Sequence, residues 1–205
     1  MKKILLLGDS IRLGYDSLVK MAFEGKAQVF YPQENCRFAA YVLMNLHIWK
    51  EQLGCGGDID CVHWNAGLWD TLVLYQDGTL TPIDVYGVYI DRICKRLRLL
   101  FPKAKIIFAT STPVDEALFP EPDKKMRYNK DIEMFNEVAI EKVKRNGGEI
   151  NDLYSFLKDT PAEYHSDMTH FYTKAATEAI TGKVLESIGR CLDIEASPIQ
   201  IFPAK

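Results

Sequence analysis

The chain has 205 residues, 47% of them hydrophobic and 26% charged, which is enough for one well-buried domain and short for two. These proportions exclude a largely disordered or collagen-like chain, and a net charge of -3 gives no reason to expect nucleic acid or an anionic membrane surface as a partner. The five cysteines, Cys36, Cys55, Cys61, Cys94 and Cys191, are odd in number and lack C-x-x-C spacing, which argues against a zinc site or a disulfide framework.

The first element is Ile4 to Leu7, an apolar run without polar alternation, as in a parallel strand covered on both faces. It stops at Gly8-Asp9-Ser10. The glycine is expected to let the chain turn sharply, lifting Ser10 to the carboxyl end of the strand, where open α/β sheets keep their sites. The run is too short for the core of a secretory signal and lacks a small-residue cleavage site. With Met1 as the native start, a cytoplasmic protein is expected. No stretch approaches the ~20 apolar residues that a membrane span needs.

From Ile11 the pattern predicts a helix with Leu18, Met21 and Ala22 on its apolar face, ending at Gly25. A second strand, Gln28 to Tyr31, is stopped by Pro32. Val42, Leu46, Trp49 and Leu53 then mark a helix at i, i+4, i+7 and i+11. The third strand, Cys61 to Trp64, runs into Asn65-Ala66-Gly67-Leu68-Trp69-Asp70, and its carboxyl end is expected beside that of the first. Thr81-Pro82 reads as an N-cap with proline at the first helical position, opening a helix that buries Val85, Tyr89, Ile93, Leu97 and Leu100. A fourth strand, Lys105 to Ala109, follows. The segment 114–125, with Pro120 and Pro122, reads as a surface loop forming one wall of a cleft.

Ile132, Phe135, Ala139 and Val143 define a helix over 128–145, and Asn146-Gly147-Gly148 ends it. A short strand over 149–151 and a small helix through Tyr154 and Leu157 precede Ser166-Asp167-Met168-Thr169-His170. The last helix repeats Ile180, Val184, Ile188 and Cys191, leaving 193–205 as an irregular tail. Lys95-Arg96-Leu97-Arg98 and Lys142-Val143-Lys144-Arg145 fall on helices and read as solvated faces. Strands alternating with amphipathic helices across residues 1–205 predict a single domain, a three-layer α/β/α sandwich around a five-stranded parallel sheet.

Chemistry concentrates at two of these places. A serine hydroxyl is a weak nucleophile until a base takes its proton, and the base needs a third group to fix its tautomer and stabilise the imidazolium. Asp167 and His170, three residues apart, can supply both from one turn. Gly-Asp-Ser-Ile at the first strand and Asp-x-x-His near the C-terminus resemble the SGNH/GDSL hydrolase family, mostly esterases and lipases, over nearly the whole chain. The resemblance implies a flavodoxin-like sheet, Ser10 as nucleophile, His170 as base and Asp167 as its orienting carboxylate. It implies no cofactor and no metal.

Among the other histidines, His47 sits in a helix and His63 in a strand, and His165, the nearest rival to His170, precedes Asp167 and does not fit the order. Asp9, adjacent to Ser10, is read as holding the turn through loop backbone, and is also a candidate for the pocket edge. The resemblance further implies an oxyanion hole of three donors: the Ser10 N–H, a backbone N–H after the second strand, and an asparagine amide after the third. No glycine lies in 32–46, so Cys36 or Arg37 takes the second place and must tolerate the dihedrals of the glycine it replaces. In the third place stands Asn65, or Trp69 if the alignment is anchored on Gly67 and Asp70; Trp69 is otherwise a pocket wall.

The activity expected is hydrolysis of a small-molecule or glycan ester, with a short acyl group favoured because no long apolar lid is visible. Trp64, Trp69, Tyr75 and Tyr86 are available to stack on a sugar ring. The alternatives are a lysophospholipase or acyl-thioesterase, or a catalytically silent binding module of the same fold.

Overall fold

A computed structural model describes residues 1–199. Five strands form a parallel sheet: β1 (Lys2–Leu7), β2 (Ala27–Phe30), β3 (Cys61–Trp64), β5 (Lys105–Ala109) and β7 (Glu149–Asn151), in the spatial order β2-β1-β3-β5-β7. The register pairs Leu5 with Phe30 on one side and Leu7 with Trp64 on the other. The order reverses between β1 and β3, so a crevice opens at the carboxyl ends of those two strands.

Side chains alternate across the sheet as the pleat requires. Ile4, Leu6, Ile107 and Ala109 face a layer made by α1 (Ser10–Leu13), α2 (Asp16–Ala22), α6 (Leu153–Leu157) and α7 (Lys174–Leu192). Leu5, Leu7, Val62, Trp64, Ile106 and Phe108 face α3 (Ala39–Gln52), α4 (Ile83–Leu100) and α5 (Asn129–Arg145). Ile4 to Leu7 are all buried, each worth about 1.5–3 kcal/mol on transfer from water, so the strand delivering Ser10 is anchored from both faces.

Several local expectations are corrected. The helix expected from Ile11 to Gly25 is two helices, and its buried face is Val19, Ala22 and Phe23, with Met21 exposed. In α4 the buried positions are Tyr86, Ile90, Ile93, Cys94 and Leu97, while Val85 is exposed. Because α4 packs against both α3 and α5, its buried arc is set by two neighbours. Gly87 lets α5 come close: a Cβ there would stand 3.0 Å from Val138. Thr81 caps nothing; its hydroxyl donates to Asp70 at 2.8 Å, and Pro82 precedes the first turn of α4.

The expected loop over 114–125 ends in a strand. β4 (Val73–Leu74) pairs antiparallel with β6 (Lys125–Met126), tying the segment after β3 to the segment after β5. Residues 193–199 form no helix or strand, and the rest of the expected tail lies outside the described residues.

Candidate active site

Ser10 is the first residue of α1, immediately beyond β1, with Asp9 as N-cap accepting from the Ile11 N–H at 3.0 Å. Its hydroxyl lies 2.8 Å from His170 Nε2, and His170 Nδ1 lies 2.7 Å from Asp167 Oδ2. Residues 160 positions apart in sequence thus form one continuous hydrogen-bonded line at the β1/β3 crevice.

The turn that presents His170 is braced from within. Asp167 Oδ1 accepts from the Thr169 N–H at 2.7 Å and the His170 N–H at 2.8 Å, leaving Oδ2 for the imidazole. Ser166 donates from both its N–H and its hydroxyl to the His170 carbonyl, at 2.8 and 3.0 Å. Partial burial works to raise the Asp167 pKa, but the donors from Thr169 and His170 outweigh it and hold the carboxyl below its ordinary value. His165 takes no part in this line: its ring packs on Phe171 at 4.1 Å, and burial lowers its pKa.

Asn65 follows β3 and its backbone N–H extends the ladder to the Leu7 carbonyl at 3.1 Å. Its side chain lies over Gly8, two residues from Ser10, with Oδ1 buried without a partner. Gly8 is therefore needed for space rather than for a turn: its φ is not left-handed, and a Cβ would fall 1.9 Å from Asn65 Oδ1. Trp69 is half-buried in the turn that follows Gly67.

The loop after β2 differs from expectation. The Cys36 N–H is already bonded to the Gly8 carbonyl at 2.9 Å, and the Arg37 N–H to Asn35 Oδ1 at 2.8 Å, so neither is free to donate to an oxyanion. Arg37 does take the dihedral of a glycine, with φ of +52°. Asp9 is corrected as well: it is wholly buried and holds the turn, so it borders no pocket. Trp64 and Tyr86 are also wholly buried and offer no stacking surface, whereas Tyr75 is exposed.

Three residues that the sequence reading passed over organise the site. Arg12, wholly buried, pairs with Asp16 Oδ2 at 2.5 Å and donates to the carbonyls of Pro32 at 2.9 Å and Glu34 at 2.5 Å, clamping the loop after β2. Arg127, at the end of β6, donates to the Leu68 carbonyl and approaches Thr169 Oγ1 at 3.4 Å, with Asp9 and Asp167 nearby as counter-charges. Tyr172 stacks on His170. The i, i+4 spacing of Arg12 and Asp16 was a usable signal; the other two left none.

Behind the site, Asp70 accepts from the Ala39 N–H at the start of α3 and from Thr81, while burial pushes it up to about 7. Burial also raises Asp9. Among the described residues, no group of three or more His, Cys, Asp or Glu is arranged to hold a metal ion, and no helix is long and apolar enough to cross a membrane.

No family model matches the sequence, and no curated protein matches it. Solved structures do. A lipase/acylhydrolase from Enterococcus faecalis is 20% identical with a TM-score of 0.72, covering 98% of this chain and 100% of its own. The acetyl xylan esterase AlAXEase is 15% identical with a TM-score of 0.71, at 91% and 99% coverage. A GDSL-like lipase from Bacteroides thetaiotaomicron is 17% identical with a TM-score of 0.71, at 92% and 88%. The likeness is one of fold: these structures share the chain's α/β architecture over 91% to 98% of its length.

Proposed function

We propose that this chain is a serine ester hydrolase in which Ser10 is the nucleophile, His170 the base and Asp167 its orienting carboxylate. The observation that carries the reading is the unbroken Ser10–His170–Asp167 hydrogen-bond line. Ser10 Oγ attacks the ester carbonyl while its proton passes to His170 Nε2. As the tetrahedral intermediate collapses, that proton leaves with the alcohol and an acyl-Ser10 remains. Water then attacks the acyl carbon, giving its proton to His170, and the carboxylic acid departs as Ser10 recovers its proton. Asp167 stays ionised throughout and stabilises the imidazolium.

The oxyanion is received by the Ser10 N–H and the Asn65 amide. A third donor from the loop after β2 requires that loop to exchange an existing bond, which points to modest turnover. The site is open, since His170 and Asp167 side chains are 26% and 42% exposed, and this favours a short acyl group over a buried fatty chain. The half-buried Trp69 suits a carbohydrate alcohol, and one structural neighbour is an acetyl xylan esterase. Five unpaired cysteines suit a reducing, cytoplasmic setting.

A p-nitrophenyl ester series of increasing chain length, run beside acetylated sugars, tests the reading. Activity is expected to be highest on acetyl and to fall with chain length; activity rising with length would assign a lysophospholipase or acyl-thioesterase instead. The occupied N–H groups of Cys36 and Arg37 favour a second reading, a silent binding module of the same fold. A fluorophosphonate probe separates the two, because only a competent nucleophile is labelled, and Ser10→Ala must abolish the labelling.

A further inference from the structure

The ring of Tyr172 lies nearly flat on that of His170, with centroids 4.8 Å apart and planes 15° apart, while its hydroxyl donates to the Ser10 carbonyl at 2.6 Å. One side chain thus touches both the residue that carries the nucleophile and the base that activates it. Local geometry accounts for the bond to Ser10. Helix α1 is four residues long, and the Gly14 N–H, which a longer helix would direct to the Ser10 carbonyl, bonds Ile11 at 3.1 Å instead. The Tyr172 hydroxyl supplies a donor to that carbonyl.

Gly14 accounts for the room. A Cβ at this position would stand 2.9 Å from the Tyr172 ring, although the backbone there, with φ of -71°, accepts any residue. The Tyr172 N–H also bonds Ser166 Oγ at 3.2 Å, the same hydroxyl that donates to the His170 carbonyl, so base and stacking partner hang from one side chain. Tyr172 is 45% exposed.

We propose that Tyr172 is a positioning residue of the triad, holding the imidazole plane and the Ser10 backbone together so that Oγ and Nε2 keep their separation of 2.8 Å. Asp167 fixes one edge of the ring by a single hydrogen bond and resists rocking about that bond poorly. A stacked face resists it directly, and the same side chain restrains Ser10, so both partners move as a unit. Small losses of this registration cost rate without costing binding, because the transition state needs the alignment and the bound ester does not. This inference rests on the ester-hydrolase reading.

The test compares kcat and KM on p-nitrophenyl acetate, fluorophosphonate labelling rates and melting temperatures for the parent, Tyr172→Phe, Tyr172→Leu and Gly14→Ala. Tyr172→Phe keeps the stack and loses the Ser10 bond, and should lower kcat about 3- to 10-fold. Tyr172→Leu should lower it roughly 10- to 100-fold with KM changed less than about twofold. Gly14→Ala should reproduce that loss with Tyr172 intact, and combining it with Tyr172→Leu should add little, as for two changes acting through one contact. Labelling should slow in step, because the probe reacts with the same His170-activated Ser10. If Tyr172→Leu and Gly14→Ala both keep parental kcat, or if the whole loss appears in KM and varies with substrate size, Tyr172 is a wall of the pocket and the proposal is overturned. A parent that neither hydrolyses esters nor takes the probe removes the ester-hydrolase reading, and this inference with it; a parent that does both while the variants match it removes this inference alone.

Discussion

An alanine at position 8 would put its Cβ 1.9 Å from Asn65 Oδ1 and 2.8 Å from Arg12 Cβ, so the amide next to the nucleophile can occupy its place only over a glycine. Gly8→Ala is accordingly expected to displace the Asn65 amide and to lower kcat by roughly 100-fold, the cost of one oxyanion donor, with little change in KM. Asn65→Ala should give the same signature, and the double variant little more than either alone. Kinetics of the three variants check this, and Trp69→Phe serves as the competing assignment: if it alone lowers kcat, the indole is the donor. His170→Ala should abolish turnover while His165→Ala, whose ring rests on Phe171, retains most of it. The convergence of Ser10, His170 and Asp167 was readable from Gly8-Asp9-Ser10 at a strand end and Asp-x-x-His in a tight turn, as was the place of Asn65 after the third strand. The occupancy of the Cys36 and Arg37 N–H groups was not, since a backbone donor's partner is decided by where the loop lies in space.

The elements themselves were legible where burial imposes a pattern. β3 and β5 follow from apolar runs, because both of their faces are covered, and the buried faces of α5 and α7 follow from i, i+3, i+4 spacing. The face of α4 was misread because two neighbouring helices share it, and β6 was missed because two residues carry no period. Arg12 was missed for a related reason: what it satisfies are carbonyls of a loop 20 and 22 residues further on. Removing it strands those carbonyls and leaves the Asp16 carboxylate, only 8% exposed, without its cation. Arg12→Met is therefore expected to destabilise the fold by roughly 3–5 kcal/mol, the usual consequence of breaking a buried pair by one partner. Urea denaturation measures it. Arg12→Met with Asp16→Leu should recover much of the loss; no recovery would mean that the clamp on the loop, rather than the ion pair, supplies the stability.

Across the whole molecule, two buried titratable groups set opposing pH dependences. His63, in the middle of the sheet, is wholly buried with Nε2 3.1 Å from Asn151 Nδ2 and Nδ1 unpartnered, and burial lowers its pKa from 6.5 to about 3. The unfolded chain therefore binds a proton there that the folded chain refuses, and its contribution to stability is present above pH 6.5 and is lost as pH falls toward 3. Asp70 runs the other way: burial raises it from 3.8 to about 7, so its contribution is complete below pH 3.8 and is lost as pH rises through 7. Between pH 4 and 6.5 the two slopes oppose each other, each by about 1.4 kcal/mol per pH unit at most. Single variants should separate the two contributions. His63→Gln, which keeps an acceptor for Asn151, should gain stability relative to the parent as pH falls from 6.5 to 4.5, by roughly 2–3 kcal/mol over the interval. Asp70→Asn should lose stability relative to the parent over the same fall, since it removes the group that takes up a proton on folding. Urea midpoints at half-unit pH steps read both differences. Parallel curves for His63→Gln and the parent would show that the imidazole is protonated in the folded state, and that a water or a rearranged Asn151 reaches it within the sheet.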